Sequence, residues 1–289
     1  MKATDTAHGA AKTTSRTFRV GLIGAGIQAS RMPRLHEAEA RALGLDYAYQ
    51  LFDLEKLNAD VSDLPRLLTE AQQQGFAGLN ITHPCKQAVI PLLNELSLEA
   101  AAIGAVNTVV FKRGKRIGHN TDAPGFAASF RRALSDVSVR NVVLLGAGGA
   151  GSALAVAARQ LGIERLAIYD TELVRAAALA ERVGAHAVTN LAQAVQVADG
   201  LMQATPIGMA NHPGAPLPLA LLQPRQWVAE IIYFPMETEL LRHARAIGCR
   251  TMDGGGMAVF QAVEAFRLFT GVAPDAERML RHFAAMGTD

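Results

Sequence analysis

The chain has 289 residues, 50% of them hydrophobic and 19% charged, which is long for one hydrophobic core and ample for two. Lys plus Arg number 28 against 26 Asp plus Glu, and no block of like charge stands out, so neither a nucleic acid nor a lipid surface is expected as a partner. Cys85 and Cys249 are too few for a disulfide framework and too far apart for a metal-ligand pair, and no His, Cys or Asp cluster has ligand spacing, so no metal is expected and the cytoplasm is the expected compartment.

Residues 1–17 are small, polar and mildly basic, without the apolar core of a signal peptide, and are read as a disordered tail. No later stretch approaches the length needed to span a bilayer. Phe18 to Ile23 is a short apolar strand running into Gly24-Ala25-Gly26, a glycine turn expected to shape a loop over a ligand. A helix from Pro33 to about Leu43 stops at Gly44, and Tyr47 to Phe52 alternates as a strand. Val61 to Gln74 is expected to be helical, Ala77 to Ile81 a strand, and Gln87 to Leu93 a further helix. Ala105 to Phe111 and Ile117 to His119 read as strands about the turn at Arg113-Gly114.

A helix from Pro124 to Leu134 leads into the second half, whose centre is Asn141 to Asp170. There an apolar strand runs into Gly146-Ala147-Gly148-Gly149-Ala150-Gly151, an alanine-rich helix follows, and Leu166 to Tyr169 is a strand closing on Asp170. This is the dinucleotide-binding pattern: Gly146 permits the tight turn, Gly148 lets a pyrophosphate approach, Gly151 lets helix pack on sheet, and the helix N-terminus offers N–H groups to phosphates. Asp170 stands where a carboxylate accepts from the ribose hydroxyls of NAD and repels the 2′-phosphate of NADP, so NAD is the expected cofactor. Helices at Glu172–Val183 and Leu191–Ala198 alternate with strands at His186–Val188 and Gly200–Ala204, which implies a parallel sheet covered on both faces. A strand at Trp227–Tyr233, a helix at Glu237–Ala246 and a short strand at Thr251-Met252 complete it. The helices Met257–Phe269 and Pro274–Ala285 carry too many apolar positions to stand free and are expected to return to the first half. The fold class is therefore α/β, with an N-terminal α/β substrate domain over 18–121 and 255–289 and a Rossmann-type dinucleotide domain over 122–254.

Four polar clusters interrupt the apolar strands at their carboxyl ends: Asn80-Ile81-Thr82-His83-Pro84-Cys85-Lys86, Gly104-Ala105-Val106-Asn107-Thr108, Gly118-His119-Asn120-Thr121-Asp122 and Gly256 to Val263. In this order, with a Rossmann loop between the third and the fourth, they resemble the shikimate and quinate dehydrogenase family from about Val20 to Gly271. The resemblance implies that Lys86 and Asp122 are the catalytic pair and that Ser30, Asn80, Thr82, Asn107, Tyr233 and Gln261 bind the hydroxyls and carboxylate of a cyclic acid. It further implies that Gly146, Ala147, Gly148, Gly149 and Ala150 form the pyrophosphate loop, with Thr205, Ile231, Gly254 and Met257 along the cofactor cleft. Monomers and homodimers are both compatible with it.

Oxidising a secondary alcohol needs a hydride acceptor over the carbon and a base for the hydroxyl proton, both placed beforehand. Lys86 is the expected proton carrier. Burial would disfavour its charge and Asp122 would favour it, so the pair is read as a unit. Alone, Lys86 would be a solvated lysine, Asp122 a helix cap before Pro124, and Asn80, Thr82 and Asn107 strand-end residues bonding their own backbone. Their occurrence together favours a polyol site. His83, His119 and Cys85 are expected to pack beside the site, and Trp227 in the core.

The sequence departs from the family in one place that bears on substrate. Ser30-Arg31-Met32-Pro33 stands where an S-x-S/T-P signature is usual, and Met32 cannot supply the second hydroxyl to the carboxylate. One charge-assisted hydrogen bond, worth about 1.5–3 kcal/mol or about 10- to 100-fold in affinity, is lost unless Arg31 or a water replaces it. Gln203 and Glu230 stand where asparagine and aspartate are common. Asp170-Thr171-Glu172 replaces the Asn-Arg-Thr of NADP-using members, which points to the branch that uses NAD on quinate and shikimate. A sister dehydrogenase for a related cyclic hydroxy acid and a non-catalytic NAD- or polyol-binding protein are the alternatives.

Overall fold

A computed structural model of the protein describes residues 17–287, so the tail expected over 1–17 lies, but for Thr17, outside the described residues. The first half runs β1 (Phe18–Gly24), α1 (Met32–Ala42), β2 (Tyr47–Asp53), α2 (Leu64–Gln73), β3 (Gly78–Ile81), α3 (Cys85–Ala88), β4 (Glu95–Leu96), α4 (Leu98–Ile103), β5 (Thr108–Lys112) and β6 (Lys115–His119). Its six strands form one mixed sheet in the order β2-β1-β3-β5-β6-β4, with β1 parallel to both β2 and β3, and with β5 antiparallel to β3 and to β6.

The second half begins with α5 (Asp122–Ala133) and continues β7 (Asn141–Leu145), α6 (Gly149–Gln160), β8 (Arg165–Tyr169), α7 (Leu173–Val183), β9 (His186–Ala187), α8 (Leu191–Val197), β10 (Gly200–Gln203), β11 (Trp227–Glu230), α9 (Glu239–Ala246) and β12 (Arg250–Met252). Its sheet is wholly parallel in the order β12-β11-β10-β7-β8-β9. The order of strand addition reverses between β7 and β10, and ligands of open α/β sheets bind at the carboxyl ends of strands flanking such a point. Two helices remain, α10 (Gly254–Thr270) and α11 (Ala276–Ala285).

The C-terminal helices return to the first sheet. Val259, Ala262, Ala265 and Phe269 of α10 and Met279 and Phe283 of α11 share one buried cluster with Val20, Leu22, Leu35 and Tyr49, which covers the sheet face opposite α2. The other face buries Ile23, Leu79 and Ile81 under Leu64, Leu67 and Leu68. On the parallel sheet, one cluster joins Val142, Leu144 and Ile168 to α5 and α6, and another joins Val143, Leu201 and Val228 to α9. α5 packs against both α6 and α10 and so sits between the halves.

Local details differ from the sequence expectation for identifiable reasons. The helix expected over Gln87–Leu93 is the single turn of α3 followed by a 3₁₀ turn at Ile90–Leu92, because Pro91 has no N–H to continue an α-helical ladder. The helix expected from Val61 is a 3₁₀ turn at Val61–Asp63 and then α2, with Pro65 in its first turn. α4, capped by Ser97 and ended by Gly104 at φ +70°, had no counterpart among the expected elements. The strand expected to reach Tyr233 ends at Glu230, and the chain there turns so that Ile232 accepts from Gly254 N.

Candidate active site

β3 delivers Lys86 and β6 delivers Asp122. Thr82 follows β3, and its carbonyl accepts from Cys85 N, which bends the chain into α3 and sets Lys86 in its first turn. β6 ends at His119, and Asp122 is the first residue of α5. The cap position belongs to Thr121, so Asp122 does not cap the helix; its carboxylate turns to Lys86 instead. Lys86 Nζ donates to Asp122 Oδ2 at 2.6 Å, with side-chain exposures of 22% and 8%.

The second oxygen of Asp122 accepts from Asn107 Nδ2 at 2.8 Å, and the backbone N–H of Asp122 donates to Asn120 Oδ1 at 3.0 Å. Asn107 is itself fixed: its Nδ2 also donates to Thr121 Oγ1, and its Oδ1 accepts from Thr121 N at 2.8 Å and from Thr108 Oγ1 at 3.0 Å. Asn80 lies on the neighbouring strand, donating to Thr108 Oγ1 and accepting from the Tyr49 hydroxyl at 2.9 Å. Gln261 arrives from α10, with Oε1 3.4 Å from Asn107 Nδ2 and Nε2 3.4 Å from Met32 Sδ. Lys86, Asp122, Asn80, Asn107, Gln261 and Met32 therefore stand together. Their buried amides are held mostly by other side chains, which stiffens the network at a cost that only full pairing offsets.

Thr82 and Tyr233 lie around this group without a direct bond to it among the described residues, and Ser30 is bonded to it only through the backbone of Met32. Ser30 Oγ accepts from Met32 N at 3.3 Å, and Thr82 packs its methyl against Gly24. The Gly24 to Gln28 loop is pinned by Asp53, whose carboxylate accepts from Gly26 N, Ile27 N and Gln28 Nε2 at 2.9–3.1 Å. Tyr233 stacks edge-on with Phe283 at 6.3 Å between centroids. Burial raises the pKa of its hydroxyl, the Arg31 charge opposes that and the Asp122 charge adds to it. Cys85 is fully buried and burial pushes its thiol up to about 11, so it is an inert packing group.

The glycine turn at the end of β7 has the shape a pyrophosphate needs. Gly146 has φ +95°, a left-handed value that a side chain resists, and a Cβ there would meet Thr205 at 3.0 Å. A Cβ on Gly151 would fall 2.0 Å from Gly146 O, whereas one on Gly148 would meet nothing within 4 Å. The turn is thus closed toward the protein and open on the side of α6's N-terminal N–H groups, a fit for a phosphate. Asp170 Oδ2 accepts from Ala147 N at 2.7 Å and Oδ1 from Glu172 N at 2.9 Å, so the carboxylate also braces the turn. Thr205 is held by Gln203, whose Nε2 donates to Thr205 Oγ1 at 2.9 Å and to Ile207 O at 2.8 Å. Gly254 lies against the Ile231 carbonyl, where a Cβ would come within 2.3 Å, and Met257 packs into the core with Phe126.

The two halves of the site face each other. A Cβ on Gly149 would lie 4.0 Å from Lys86 Cδ and from Ala105 Cβ, so the first turn of α6 borders the lysine. Tyr49, Thr108, Asn120 and Thr121 were not singled out by the sequence as site residues. For Thr121 and Asn120 the signal was their place inside the cluster ending at Asp122; Tyr49 carried none beyond its inward position on a strand.

A Rossmann sheet facing a mixed α/β half, with the Lys86–Asp122 pair where they meet, defines a dinucleotide-dependent oxidoreductase of the two-sheet type. A family profile described as the shikimate dehydrogenase substrate binding domain matches residues 22–109, and one described as the shikimate 5′-dehydrogenase C-terminal domain matches 254–282. A shikimate dehydrogenase (NADP(+)) of Streptomyces avermitilis is 52% identical over 94% of this chain and 97% of its own. A quinate/shikimate dehydrogenase (NAD(+)) of Corynebacterium efficiens is 47% identical over 92% of this chain and 98% of its own. The solved quinate dehydrogenase of Corynebacterium glutamicum in complex with NAD superposes with a TM-score of 0.87 at 44% identity, covering 93% of this chain and 99% of that one. The chain belongs to the shikimate/quinate dehydrogenase family. It is an oxidoreductase of the shikimate dehydrogenase type, working with a nicotinamide dinucleotide. Among the described residues no helix is long and apolar enough to cross a membrane.

Proposed function

We propose that this enzyme oxidises the C3 hydroxyl of shikimate and quinate reversibly, with NAD as its cofactor. The observation that carries the reading is the 2.6 Å Lys86–Asp122 pair beside the first turn of α6. The bound dinucleotide supplies the two-electron acceptor for the hydrogen on the alcohol carbon. Lys86, as the amine, takes the hydroxyl proton, and the resulting ammonium is held by Asp122. Run backwards, the ammonium protonates the oxygen of the ketone as it is reduced. Asn107 keeps the Asp122 carboxylate aimed at Lys86, and Asn120 holds the backbone N–H of Asp122. Asn80, Thr82, Asn107, Tyr233 and Gln261 orient the ring hydroxyls, with Ser30 and Met32 at the acid end. Gly146 to Ala150 cradle the pyrophosphate, and Thr205, Ile231, Gly254 and Met257 border the cleft.

NAD over NADP rests on Asp170. Each of its oxygens already accepts one backbone N–H and keeps room for a ribose hydroxyl, whereas a 2′-phosphate would bring a second anion to it. Arg175, in the first turn of α7 that follows, is engaged with Glu172 at 3.0 Å. Overall identity does not decide the matter, since the relative at 52% is named for NADP and that at 47% for NAD. The test is NADH and NADPH formation with both acids at matched cofactor concentrations. The expected kcat/KM for NAD is at least about tenfold higher than for NADP; parity overturns the cofactor assignment, and no turnover of either acid overturns the substrate assignment. Met32, buried against Gln261 where a hydroxyl is usual, favours a second reading, a sister dehydrogenase for a related cyclic hydroxy acid. Turnover of such an acid with weak shikimate activity would establish it.

A further inference from the structure

Among the described residues two buried side-chain nitrogens lack a hydrogen-bond partner, Arg31 Nη2 and His36 Nε2. His36 is sealed in the core, and burial pulls its pKa down to about 3, so it is neutral. Its Nδ1 meets the Tyr47 hydroxyl at 2.8 Å, and the unpaired nitrogen can be the bare acceptor of one tautomer. Arg31 has no such choice. A guanidinium is always charged and every nitrogen it carries is a donor, so a buried, unmatched Nη2 is a donor waiting for an anion.

The surroundings of Arg31 belong to the substrate pocket. It lies between Ser30 and Met32 at the start of α1, and its guanidinium sits over the Phe283 ring at 5.6 Å. Phe283 in turn meets Tyr233 edge-on, and the Arg31 charge is near enough to act on the Tyr233 hydroxyl. Met32 Sδ, a poor acceptor and no donor, occupies the signature position that would otherwise present a hydroxyl, 3.4 Å from Gln261 Nε2. One corner of the pocket has thus lost a hydroxyl and holds an unmatched cation one residue away.

We propose that Arg31 anchors the substrate carboxylate: its buried Nη2 donates to an oxygen of the ring acid and replaces the hydrogen bond that Met32 cannot make. This rests on the dehydrogenase reading of the same pocket and adds to it the group that selects an acid over a neutral ring. The Phe283 ring beneath the guanidinium restrains the side chain before the substrate arrives, which limits the ordering cost of binding.

The test compares shikimate with its methyl ester on the wild-type enzyme, Arg31→Gln, Arg31→Lys and Arg31→Gln combined with Met32→Ser. Wild type is expected to prefer the acid. Arg31→Gln should raise KM for the acid about 10- to 100-fold, lower kcat much less, and bring the preference for acid over ester close to one. Met32→Ser in that background should recover part of the lost affinity by restoring the hydroxyl. Equal losses on acid and ester, or a KM for the acid within a factor of about two of wild type, overturn the anchor and leave the dehydrogenase reading intact. If Arg31→Gln does not fold by circular dichroism, Arg31→Lys carries the same comparison, because it keeps the charge but loses the planar fork. If wild type turns over neither compound, the dehydrogenase reading fails by itself. Calorimetric titration of shikimate into wild type and Arg31→Lys then decides the anchor: about tenfold tighter binding by wild type supports it, and equal or absent binding overturns it.

Discussion

Lys86 Nζ stands 2.6 Å from one oxygen of Asp122, while the other oxygen of that carboxylate is held by Asn107 at 2.8 Å. The carboxylate therefore cannot swing away from the lysine without breaking a second, buried contact. This gives the pair a graded response to mutation. Lys86→Ala is expected to lower kcat by about 10²- to 10⁴-fold, the range of a general acid–base group, with the dissociation constant for NAD unchanged. Asp122→Asn keeps the shape but removes the charge and one of the two acceptors, so its NH2 opposes either Lys86 Nζ or Asn107 Nδ2; the lysine itself remains, and kcat should fall less than in Lys86→Ala. Full activity in Lys86→Ala removes that residue from the mechanism.

Gly148 and Gly151 separate cofactor binding from folding. A Cβ on Gly151 collides with Gly146 O at 2.0 Å, so Gly151→Ala should distort the turn and lower the melting temperature as well as NAD affinity. A Cβ on Gly148 meets nothing within 4 Å, and its backbone is extended with φ −75°, so Gly148→Ala should melt like wild type. It should still raise KM for NAD by about tenfold or more, because the methyl occupies the side from which a pyrophosphate approaches. A thermal melt and a cofactor titration on the two variants check this; equal behaviour would mean that the turn does not receive the phosphates.

Glu39 and Arg278 tie α11 to α1. The Glu39 carboxylate, 1% exposed, accepts from Arg278 Nε and Nη2 and from Asp275 N, all at 2.7 Å. Arg278→Ala leaves a buried carboxylate with a single backbone donor. Since Arg278 is itself 37% exposed, the expected loss is smaller than that of a fully buried pair and shows as a lower melting temperature. α11 also carries Phe283, the ring beneath Arg31, so the same variant should weaken binding of the acid. An unchanged melting curve would falsify the structural part of this argument.

The elements most legible in the sequence were those with local causes. The glycine turn at Gly146, the period of the helices and the strand alternation are each written within a few residues, and the two-sheet α/β architecture with returning C-terminal helices followed from them. The break at Pro91 was equally local, a missing N–H that the expected helix passed over. What could not be read was pairing across the sheet. Tyr49 was one residue of an alternating strand, and only the order β2-β1-β3 brings its hydroxyl to Asn80. Asp170 was legible as an acid directly after β8 but not as an acceptor for Ala147 N, because that bond depends on how the turn folds back. The state of Arg31 depends on Phe283 at the far end of the chain, and no spacing rule connects them.

Two buried groups set opposing pH slopes on stability. Burial lowers the pKa of His36 from 6.5 to about 3, so its contribution is complete above 6.5 and is lost as pH falls toward 3. Burial raises the pKa of Glu230 from 4.5 to about 8, against hydrogen bonds from Ile232 N and Thr238 Oγ1; its contribution is complete below 4.5 and is lost as pH rises to 8. Each slope is at most about 1.4 kcal/mol per pH unit. Between 4.5 and 6.5 the two cancel, and from 6.5 to 8 only that of Glu230 remains, so the stability due to these groups should be level and then decline. Glu230→Gln, which keeps the shape without an ionisable proton, should match wild type near pH 5 and exceed it near pH 8. Urea unfolding at the two pH values measures the difference directly; a Glu230→Gln variant that gains nothing on the alkaline side would mean that Glu230 is already ionised in the folded enzyme.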